Sequence, residues 1–316
     1  MSARRLVLTG ARGLVGDAVL RHFHDLGWHV TAACSGNAQS ASSRISVVPF
    51  DLATASASRE LEKAVAECDA IIHSAAILPS SGFLKTSEGT RDLYLKNSQG
   101  TFDLMAMAAR LGVKQFIFLS SANLYAQPPD MISEDIVPSP SDAYMLSKAA
   151  GEGIAGMFGQ TSKTRFYTLR IAAPYGARFT AKAVIPTFVT RALAGQTLQL
   201  MGSGSREQVF TYVGDIARAC MAAVDGEAPP GPYNIAGPGP VTMTELADAV
   251  ARAVGGTAEI TYSGEPDPNE GAKRRISIAR AKQYLGWEPF YDLDRGLAEM
   301  VAEMRSPPPS LLLSTS

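Results

Sequence analysis

The chain has 316 residues, of which 46% are hydrophobic and 19% are charged, and its formal net charge is −1. This is the composition of an ordinary globular protein, and it provides no basic field that would attract nucleic acid or an anionic membrane. The three cysteines lie far apart without a CxxC pair, which predicts a reducing compartment and no metal site. No stretch reaches the roughly 20 apolar residues of a membrane span, so we expect a cytoplasmic protein.

Strand-like and helix-like segments alternate through the first half of the chain. Predicted strands cover residues 5–9, 28–33, 45–50, 69–76, 113–120 and 164–172, and predicted helices cover 13–27, 59–68, 97–112 and 141–158. This alternation predicts parallel βαβ units in a doubly wound, Rossmann-type α/β sheet. The apolar run near the N-terminus breaks at Thr9-Gly10, which favours a first strand over a signal peptide.

The pattern loosens after Pro174. Predicted helices at 184–195 and 242–255 are separated by strand-like pieces and by a Pro- and Gly-rich stretch at 226–240. We therefore predict a Rossmann domain over 1–173, a smaller α/β lobe over 174–305 and a flexible tail over 306–316. Some crossover of the chain between the two lobes is expected.

A glycine-rich loop, TGARGLVG at 9–16, follows the first predicted strand and opens the first predicted helix. The spacing of Gly10, Gly13 and Gly16 suits a dinucleotide site, because the first glycines permit close approach of a pyrophosphate and the last allows helix–strand packing. The N–H groups at the start of the helix attract phosphate oxygens. The alternative is a glycine-rich turn that binds no ligand.

The end of the second predicted strand bears on the choice between NAD and NADP. NAD sites usually have a carboxylate about 20 residues after the glycine loop, where it binds the ribose diol. Here that point reads Cys34-Ser35-Gly36. Arg12 in the loop, or Arg44 nearby in sequence, could bind a 2′-phosphate, which slightly favours NADP. A solvated loop arginine is the alternative for Arg12.

Tyr144 and Lys148 lie four residues apart in YMLSK and therefore share one face of a predicted helix. A phenol with a pKa of about 10 is a poor base at neutral pH. A lysine ammonium one turn away, together with an oxidised nicotinamide, would stabilise the phenolate. Tyr144 could then accept a proton from a substrate hydroxyl while hydride passes to the cofactor. The alternative is a packed tyrosine with an incidental lysine neighbour.

These features resemble the extended short-chain dehydrogenase/reductases, the NAD(P)-dependent epimerase/dehydratase family, in particular its UDP-glucose 4-epimerase-like members. The resemblance covers residues 4–300. Its motifs here include TGARGLVG (9–16), HSAA (73–76), SSANLY (120–125), YMLSK (144–148), LRIAAPYG (169–176), FTYVGDIA (210–217) and LGWEP (285–289). The resemblance implies a catalytic triad of Ser121, Tyr144 and Lys148, supported by Asn97.

The resemblance also implies which residues bind the cofactor and which bind the substrate, and it makes the smaller lobe the substrate-binding one. The cofactor residues would be Gly10, Arg12, Gly13, Leu14, Val15, Gly16, Asp51, Leu52, Ser74, Ala75, Ala76, Asn97, Leu119, Tyr144, Lys148 and Ile171. The substrate residues would be Ile77, Ser121, Asn123, Ala173, Arg178, Arg206 and Gln208. No metal is implied.

The two positions after Ser121 bear on the reaction. Dehydratases of this family resemble one another in carrying an Asp-Glu pair there, whereas this chain has Ala122 and Asn123. Neither side chain can act as a general acid or base, which argues against dehydration. Redox at one secondary alcohol or ketone carbon remains. A nucleotide-sugar 4-epimerase is the first hypothesis, and a ketoreductase or dehydrogenase of a sugar or other small carbonyl compound is the second. The Tyr144–Lys148 pair disfavours a third, a non-catalytic cofactor-binding protein.

Two departures weaken the case for a nucleotide sugar. Many 4-epimerases of the family have Asn where this chain has Ala173 and Arg where it has Gln208, both near substrate phosphates. Arg178, Arg206 or the cluster Lys273–Arg275 could replace those donors. For the cluster, a solvated surface run is the alternative.

Two helices predict an assembly. The segments 97–112 and 144–158 are apolar over more than one face, and three glycines within 149–158 would allow another helix to approach closely. Relatives commonly dimerise through these two helices. We therefore expect a homodimer.

Overall fold

A computed structural model describes residues 3–36, 38–53, 58–79, 86–125, 130–178, 183–256 and 258–314. The strands are β1 (Arg5–Thr9), β2 (His29–Cys34), β3 (Ala38–Ser40), β4 (Ile45–Pro49), β5 (Ala70–His73), β6 (Gln115–Ser121), β7 (Met131–Ile132), β8 (Arg165–Ile171), β9 (Pro174–Tyr175), β10 (Leu198–Leu200), β11 (Glu207–Val209), β12 (Thr211–Tyr212), β13 (Gly231–Ile235), β14 (Pro240–Thr242), β15 (Ile260–Tyr262), β16 (Arg275–Ile276) and β17 (Leu312–Ser314). The helices are α1 (Leu14–Asp25), α2 (Arg59–Ala66), α3 (Ser87–Leu111), α4 (Ala143–Thr161), α5 (Val184–Leu193), α6 (Val213–Asp225), α7 (Met243–Val254) and α8 (Leu293–Arg305), with a π-helical turn at Ala281–Leu285.

Seven parallel strands form the central sheet, in the order β13-β8-β6-β5-β1-β2-β4. Consecutive residues such as Leu6, Val7 and Leu8 are all buried, because helices cover both faces of the sheet. The six strands predicted in the first half are all present, with ends shifted by a few residues. The predicted Rossmann-type fold is therefore confirmed.

The helices of the sheet layer begin where polar side chains cap them. The helix predicted at 97–112 begins earlier, at Ser87, because the hydroxyl of Thr86 accepts a hydrogen bond from Gly89 N at 3.0 Å. Apolar periodicity does not reveal this start, since the first turns of α3 are largely polar. Asp142 caps α4 through Met145 N at 2.8 Å. None of the helices in the described residues is both long and apolar enough to cross a bilayer.

The chain crosses back to the sheet after the boundary predicted at residue 173. Strand β13 pairs with β8 at the edge of the sheet, and α6 packs against α1. The smaller lobe is formed by α5, α7 and α8, whose apolar faces enclose a separate core that includes Phe188, Leu246 and Leu297. A capping box of Thr242 and Glu245 begins α7 at the predicted position.

The predicted flexible tail is partly ordered in the structure. Strand β17 pairs antiparallel with β3, and Ala41 N donates to Leu311 O at 3.0 Å. The edge of β3 thus supplies this part of the tail with backbone partners that the tail sequence does not reveal. Thr315 and Ser316 lie outside the described residues.

Candidate active site

The carboxyl ends of the central strands surround a cavity of about 410 Å³. It lies at the switch point between β1 and β5, where parallel sheets of this kind bind ligands. Most of the predicted cofactor residues line it, namely Gly10, Arg12, Gly13, Leu14, Val15, Asp51, Leu52, Ser74, Ala75, Ala76, Leu119, Tyr144, Lys148 and Ile171. The predicted substrate residues Ile77 and Ser121 line it as well.

The glycine loop leaves space that only hydrogen atoms fit. Gly10 has φ +71°, and a Cβ there would lie 2.6 Å from Ala75 N. A Cβ on Gly16 would lie 2.0 Å from Gly10 O, so the absence of a side chain at Gly16 allows close packing behind the lining, and its predicted contact with a cofactor stays a prediction. Gly13 is the N-cap of α1 and has no side chain to bond the first-turn N–H groups. The loop therefore fits the pyrophosphate of a dinucleotide.

The end of β2 forms the part of the cavity where an adenosine ribose would lie. Arg12, Cys34 and Ser35 line it. Arg44, the other candidate for a 2′-phosphate, instead lies 3.4 Å from His24 Nε2, outside the lining. Arg12 is thus the cation that the structure brings to this end of the cavity.

A buried histidine supports the segment opposite the glycine loop. Thr9 Oγ1 accepts from Ala75 N at 3.2 Å and lies within hydrogen-bond distance, 2.6 Å, of His73 Nδ1. His73 Nε2 lies 3.0 Å from Thr101 Oγ1. Burial, and secondarily the charge of Lys148, lower the pKa of His73 to about 3. His73 is therefore neutral, and it fixes the backbone that faces Gly10.

Asn97 lies behind the lining of the cavity, although the sequence assigns it to catalysis and cofactor binding. Its Oδ1 accepts from Ile77 N at 2.8 Å, and its Nδ2 donates to Ile77 O at 3.0 Å and to Ser147 Oγ at 3.3 Å. Both ends of the amide are used by these contacts. Asn97 therefore holds in place the backbone of Ile77, which lines the cavity, without lining the cavity itself.

Tyr144 and Lys148 both face the cavity, as their spacing predicts. Lys148 Nζ donates to Leu119 O at 2.7 Å and lies 5.8 Å from the centroid of the Tyr144 ring. Burial lowers the pKa of Lys148 to about 8, although the charge of Glu152 opposes this shift. Burial, with a smaller contribution from Asp142, raises the pKa of Tyr144 to about 12. Tyr144 therefore needs a positive charge in the cavity before it can act as a base.

Ser121 stands at the end of β6 on the same wall of the cavity. Its Oγ accepts from Asn123 N at 3.1 Å, and Asn123 Oδ1 in turn accepts from Arg274 Nη1. Arg274 is half-buried, whereas Lys273 and Arg275 are exposed to solvent. Of the basic cluster, Arg274 is therefore the residue that lies next to Asn123. In the part of the chain that the structure describes, no carboxylate lies within 4.0 Å of the Arg274 guanidinium. Sequence reasoning noted the cluster but could not single out Arg274.

The other predicted substrate residues lie outside the lining of the cavity. Arg178 pairs with Asp17 at 3.1 Å and with Glu303 at 3.6 Å, and its predicted substrate role stays a prediction. Arg206 pairs with Asp267 at 2.8 Å beside Arg274, close to the substrate end of the site. The remaining two have backbone roles: Gln208 lies in β11, and Ala173 O accepts from Thr211 N at 3.2 Å.

A family model confirms the resemblance inferred from the motifs. The model of the NAD dependent epimerase/dehydratase family matches residues 6–236, which is most of the chain. The chain belongs to this family.

Individual relatives differ in the reaction that their names give. UDP-glucuronic acid decarboxylase 2 of Arabidopsis thaliana is 30% identical over 219 residues, which are 66% of this chain and 48% of that protein. A putative UDP-glucose 4-epimerase of Methanocaldococcus jannaschii is 24% identical over 312 residues, which are 95% of this chain and 98% of that protein. The chain spans only about half the length of the first of these relatives.

Solved structures show the same fold. MoeE5 in complex with UDP-glucuronic acid and NAD superposes with a TM-score of 0.81 and 23% identity, over 95% of this chain and 99% of that chain. UDP-glucose 4-epimerase from Thermotoga maritima, with UDP-glucose, superposes with a TM-score of 0.78 and 22% identity, over 95% and 98% of the two chains.

Proposed function

We propose that the protein is an NAD(P)-dependent enzyme that performs redox at one secondary alcohol or ketone carbon of a nucleotide sugar, as a 4-epimerase-type enzyme. The observation that carries this proposal is the joint placement of Ser121, Tyr144 and Lys148 on one wall of a cavity whose other wall is the glycine loop. Family membership and the nucleotide-sugar enzymes among the relatives support it.

The side chains have separate roles in this reaction. The nicotinamide, when bound, supplies the acceptor and later the donor of hydride. Tyr144 removes the proton of the sugar hydroxyl and returns it, and Lys148 stabilises the phenolate and binds the nicotinamide ribose. Ser121 donates a hydrogen bond to the reacting oxygen. Asn97 keeps the wall at Ile77 in position.

The cofactor choice follows from the ribose end of the cavity. Arg12 beside Ser35, without a carboxylate at the end of β2, favours NADP, whereas several solved relatives are complexes with NAD. Denaturing the purified protein and identifying the released dinucleotide tests both. If NADP is the cofactor, Arg12→Ala weakens NADP binding much more than NAD binding.

The course of the reaction is tested by cofactor turnover. A 4-epimerase interconverts two sugar epimers while its bound cofactor shows no net change. A ketoreductase or dehydrogenase, the alternative from the sequence, consumes or produces one NAD(P)H for each product. Absorbance of NAD(P)H, followed together with product analysis by NMR, separates the two outcomes.

Arg274 favours a second candidate, oxidative decarboxylation of a nucleotide-linked uronic acid. Arg274 donates to Asn123, which in turn donates to Ser121. Among the described residues its guanidinium has no carboxylate partner, so it suits an anionic group on the sugar. Oxidation of the ring carbon β to the carboxylate gives a β-keto acid, which loses carbon dioxide before the ketone is reduced. The plant decarboxylases among the relatives agree with this candidate. Carbon dioxide release from UDP-glucuronic acid, measured beside epimer formation, decides between them.

The homodimer expected from the sequence is part of the proposal. Leu95 and Phe102 of α3, and Leu146 and Met157 of α4, are large apolar side chains that remain 40–46% exposed. These two helices pack against each other, and we propose that a second copy covers their exposed apolar side chains. Light scattering should give about twice the chain mass of 33.4 kDa, and a single-chain mass would contradict the dimer.

A further inference from the structure

Glu152 and Arg170 form a buried ion pair at α4, the helix that carries Tyr144 and Lys148. Arg170, near the end of β8, is 3% exposed, and its Nη2 and Nε donate to the carboxylate of Glu152 at 2.8 Å and 3.0 Å. Glu152 lies one helical turn beyond Lys148, on the same face of α4. Burying an ion pair adds little net stability, because both charges lose their hydration. Its position beside Lys148 therefore suggests a role in the site.

The pair joins the segments that present the reacting groups. Ser120 Oγ donates to Glu152 Oε1 at 2.7 Å, and Ser120 is the neighbour of Ser121. Arg170 Nη1 also donates to Tyr125 Oη at 3.0 Å and to Glu134 O at 3.3 Å, beyond the end of β6. The hydrogen bonds thus connect α4, the end of β6 and the loop that follows it.

We propose, building on the proposed function, that Glu152 and Arg170 are positioning residues that fix α4 against the end of β6 and set the electrostatic environment of Lys148. Glu152 provides the negative charge that favours the ammonium form of Lys148. Arg170 limits that effect by neutralising part of the Glu152 charge. Neither residue lines the cavity, so both act through Lys148 and Ser120 rather than by touching the substrate.

The groups around Lys148 determine whether removing Glu152 raises or lowers the pKa of Lys148. Tyr144 and Glu152 face it from α4, and His73 faces it from β5. From β6 it meets the Leu119 carbonyl and the ring of Phe118, which carry no charge. His73 is neutral above its low pKa, and Tyr144 is protonated in the cofactor-free protein. Glu152 is therefore the anion next to Lys148, and its removal should lower the pKa of Lys148.

The test measures the titration of Lys148 in the cofactor-free protein. The rate of reductive methylation at Lys148, followed by mass spectrometry across a pH series, reports its titration midpoint without any enzymatic activity. Glu152→Gln should move the midpoint to lower pH, since Arg170 is then left unneutralised. The double variant Glu152→Gln/Arg170→Gln should move it part of the way back, and it does not leave the Arg170 guanidinium buried without its carboxylate partner. Glu62→Gln, which breaks an exposed pair with Arg110, should leave the midpoint unchanged.

Activity provides the second readout. In Glu152→Gln we expect kcat to fall by about 10–100-fold, with the alkaline limb of the pH–rate profile moved to lower pH and KM little changed. An unchanged Lys148 midpoint in Glu152→Gln, or a double variant whose midpoint lies at or below that of the single variant, would overturn the proposal. If the wild-type protein turns over no nucleotide sugar, the proposed function fails, while the midpoint still tests the pair independently.

Discussion

The two walls of the cavity meet at Tyr144 but are held by different kinds of contact. On the dinucleotide wall, formed by the glycine loop and residues 74–76, backbone lies against backbone where even a Cβ would clash. On the substrate wall, Ser121 lines the cavity, and behind it Asn123 and Arg274, which lie far apart along the chain, are joined by polar contacts. At Gly10 and Gly16 the first wall has no room for an added side-chain atom. The second can change its side chains, and hence its substrate, without changing the fold.

The difference explains why the family is easier to identify than the reaction. The dinucleotide wall is encoded by a few short stretches, so a common fold and a common cofactor class accompany it. The relatives that share it include both epimerases and decarboxylases. The chemistry of the substrate wall decides between such reactions, and the four predictions that follow address the two walls and the residue where they meet.

Tyr144→Phe removes the phenol at the meeting point and should have the largest effect. Loss of the proposed general base should lower kcat by about 10²–10⁴-fold, whereas the glycine loop should still bind the dinucleotide. Steady-state kinetics and the quantity of dinucleotide released on denaturation measure the two effects. Unchanged activity would remove Tyr144 from catalysis, and lost cofactor would show that the two walls are not independent.

Arg274→Gln tests the substrate wall. Loss of a charge-assisted contact to an anionic substrate should weaken binding by about 1.5–3 kcal/mol, seen as a raised KM for a nucleotide sugar. Lys273→Gln is the matched control, because Lys273 is exposed and adjacent in sequence. Equal effects of the two substitutions would mean that the cluster acts only as a general surface charge and that Arg274 makes no specific contact with the substrate.

Gly16→Ala tests the packing of the dinucleotide wall. The added methyl group would meet Gly10 O, so we expect a loss of about 1–3 kcal/mol in the free energy of unfolding, measured by denaturant titration. Gly13→Ala is the comparison, because a Cβ there would lie 3.4 Å from Gly10 O. It should affect stability little but weaken dinucleotide binding, since Gly13 lines the cavity. If both variants are equally stable, the close contact at Gly16 is not a packing constraint.

His73→Gln is expected to produce the smallest of the four effects that are tested, because the part that reports the pKa of His73 appears only in acid. The folded-state pKa of His73, about 3, lies below its usual value of 6.5, so the unfolded chain binds a proton that the folded protein does not. Stability contributed by this residue is therefore lost as the pH falls from 6.5 towards 3. Between pH 6.5 and 5.5 the wild-type protein should lose about 1 kcal/mol more than His73→Gln. Parallel stability curves for the two proteins in this range would mean that His73 is not held neutral.

Features that depend on neighbours along the chain were predicted well. The glycine spacing of 9–16, the four-residue interval between Tyr144 and Lys148 and the alternation of strands and helices each reflect a local period. Local patterns were less informative where polar side chains determine the structure. The start of α3 at Ser87 depends on the cap by Thr86, within a stretch that carries little apolar periodicity.

The sequence by itself determined the family, the sheet and the glycine loop with its Tyr–Lys pair, because each is encoded in residues close together along the chain. Only the tertiary structure decided which arginine reaches the site, since Arg274 and Asn123 are 151 positions apart. The tertiary structure also decided that Arg178 pairs with Asp17, that Asn97 bonds Ile77 and that β17 pairs with β3. A side chain's partner across such distances is fixed by how whole elements pack, and no local period records that choice.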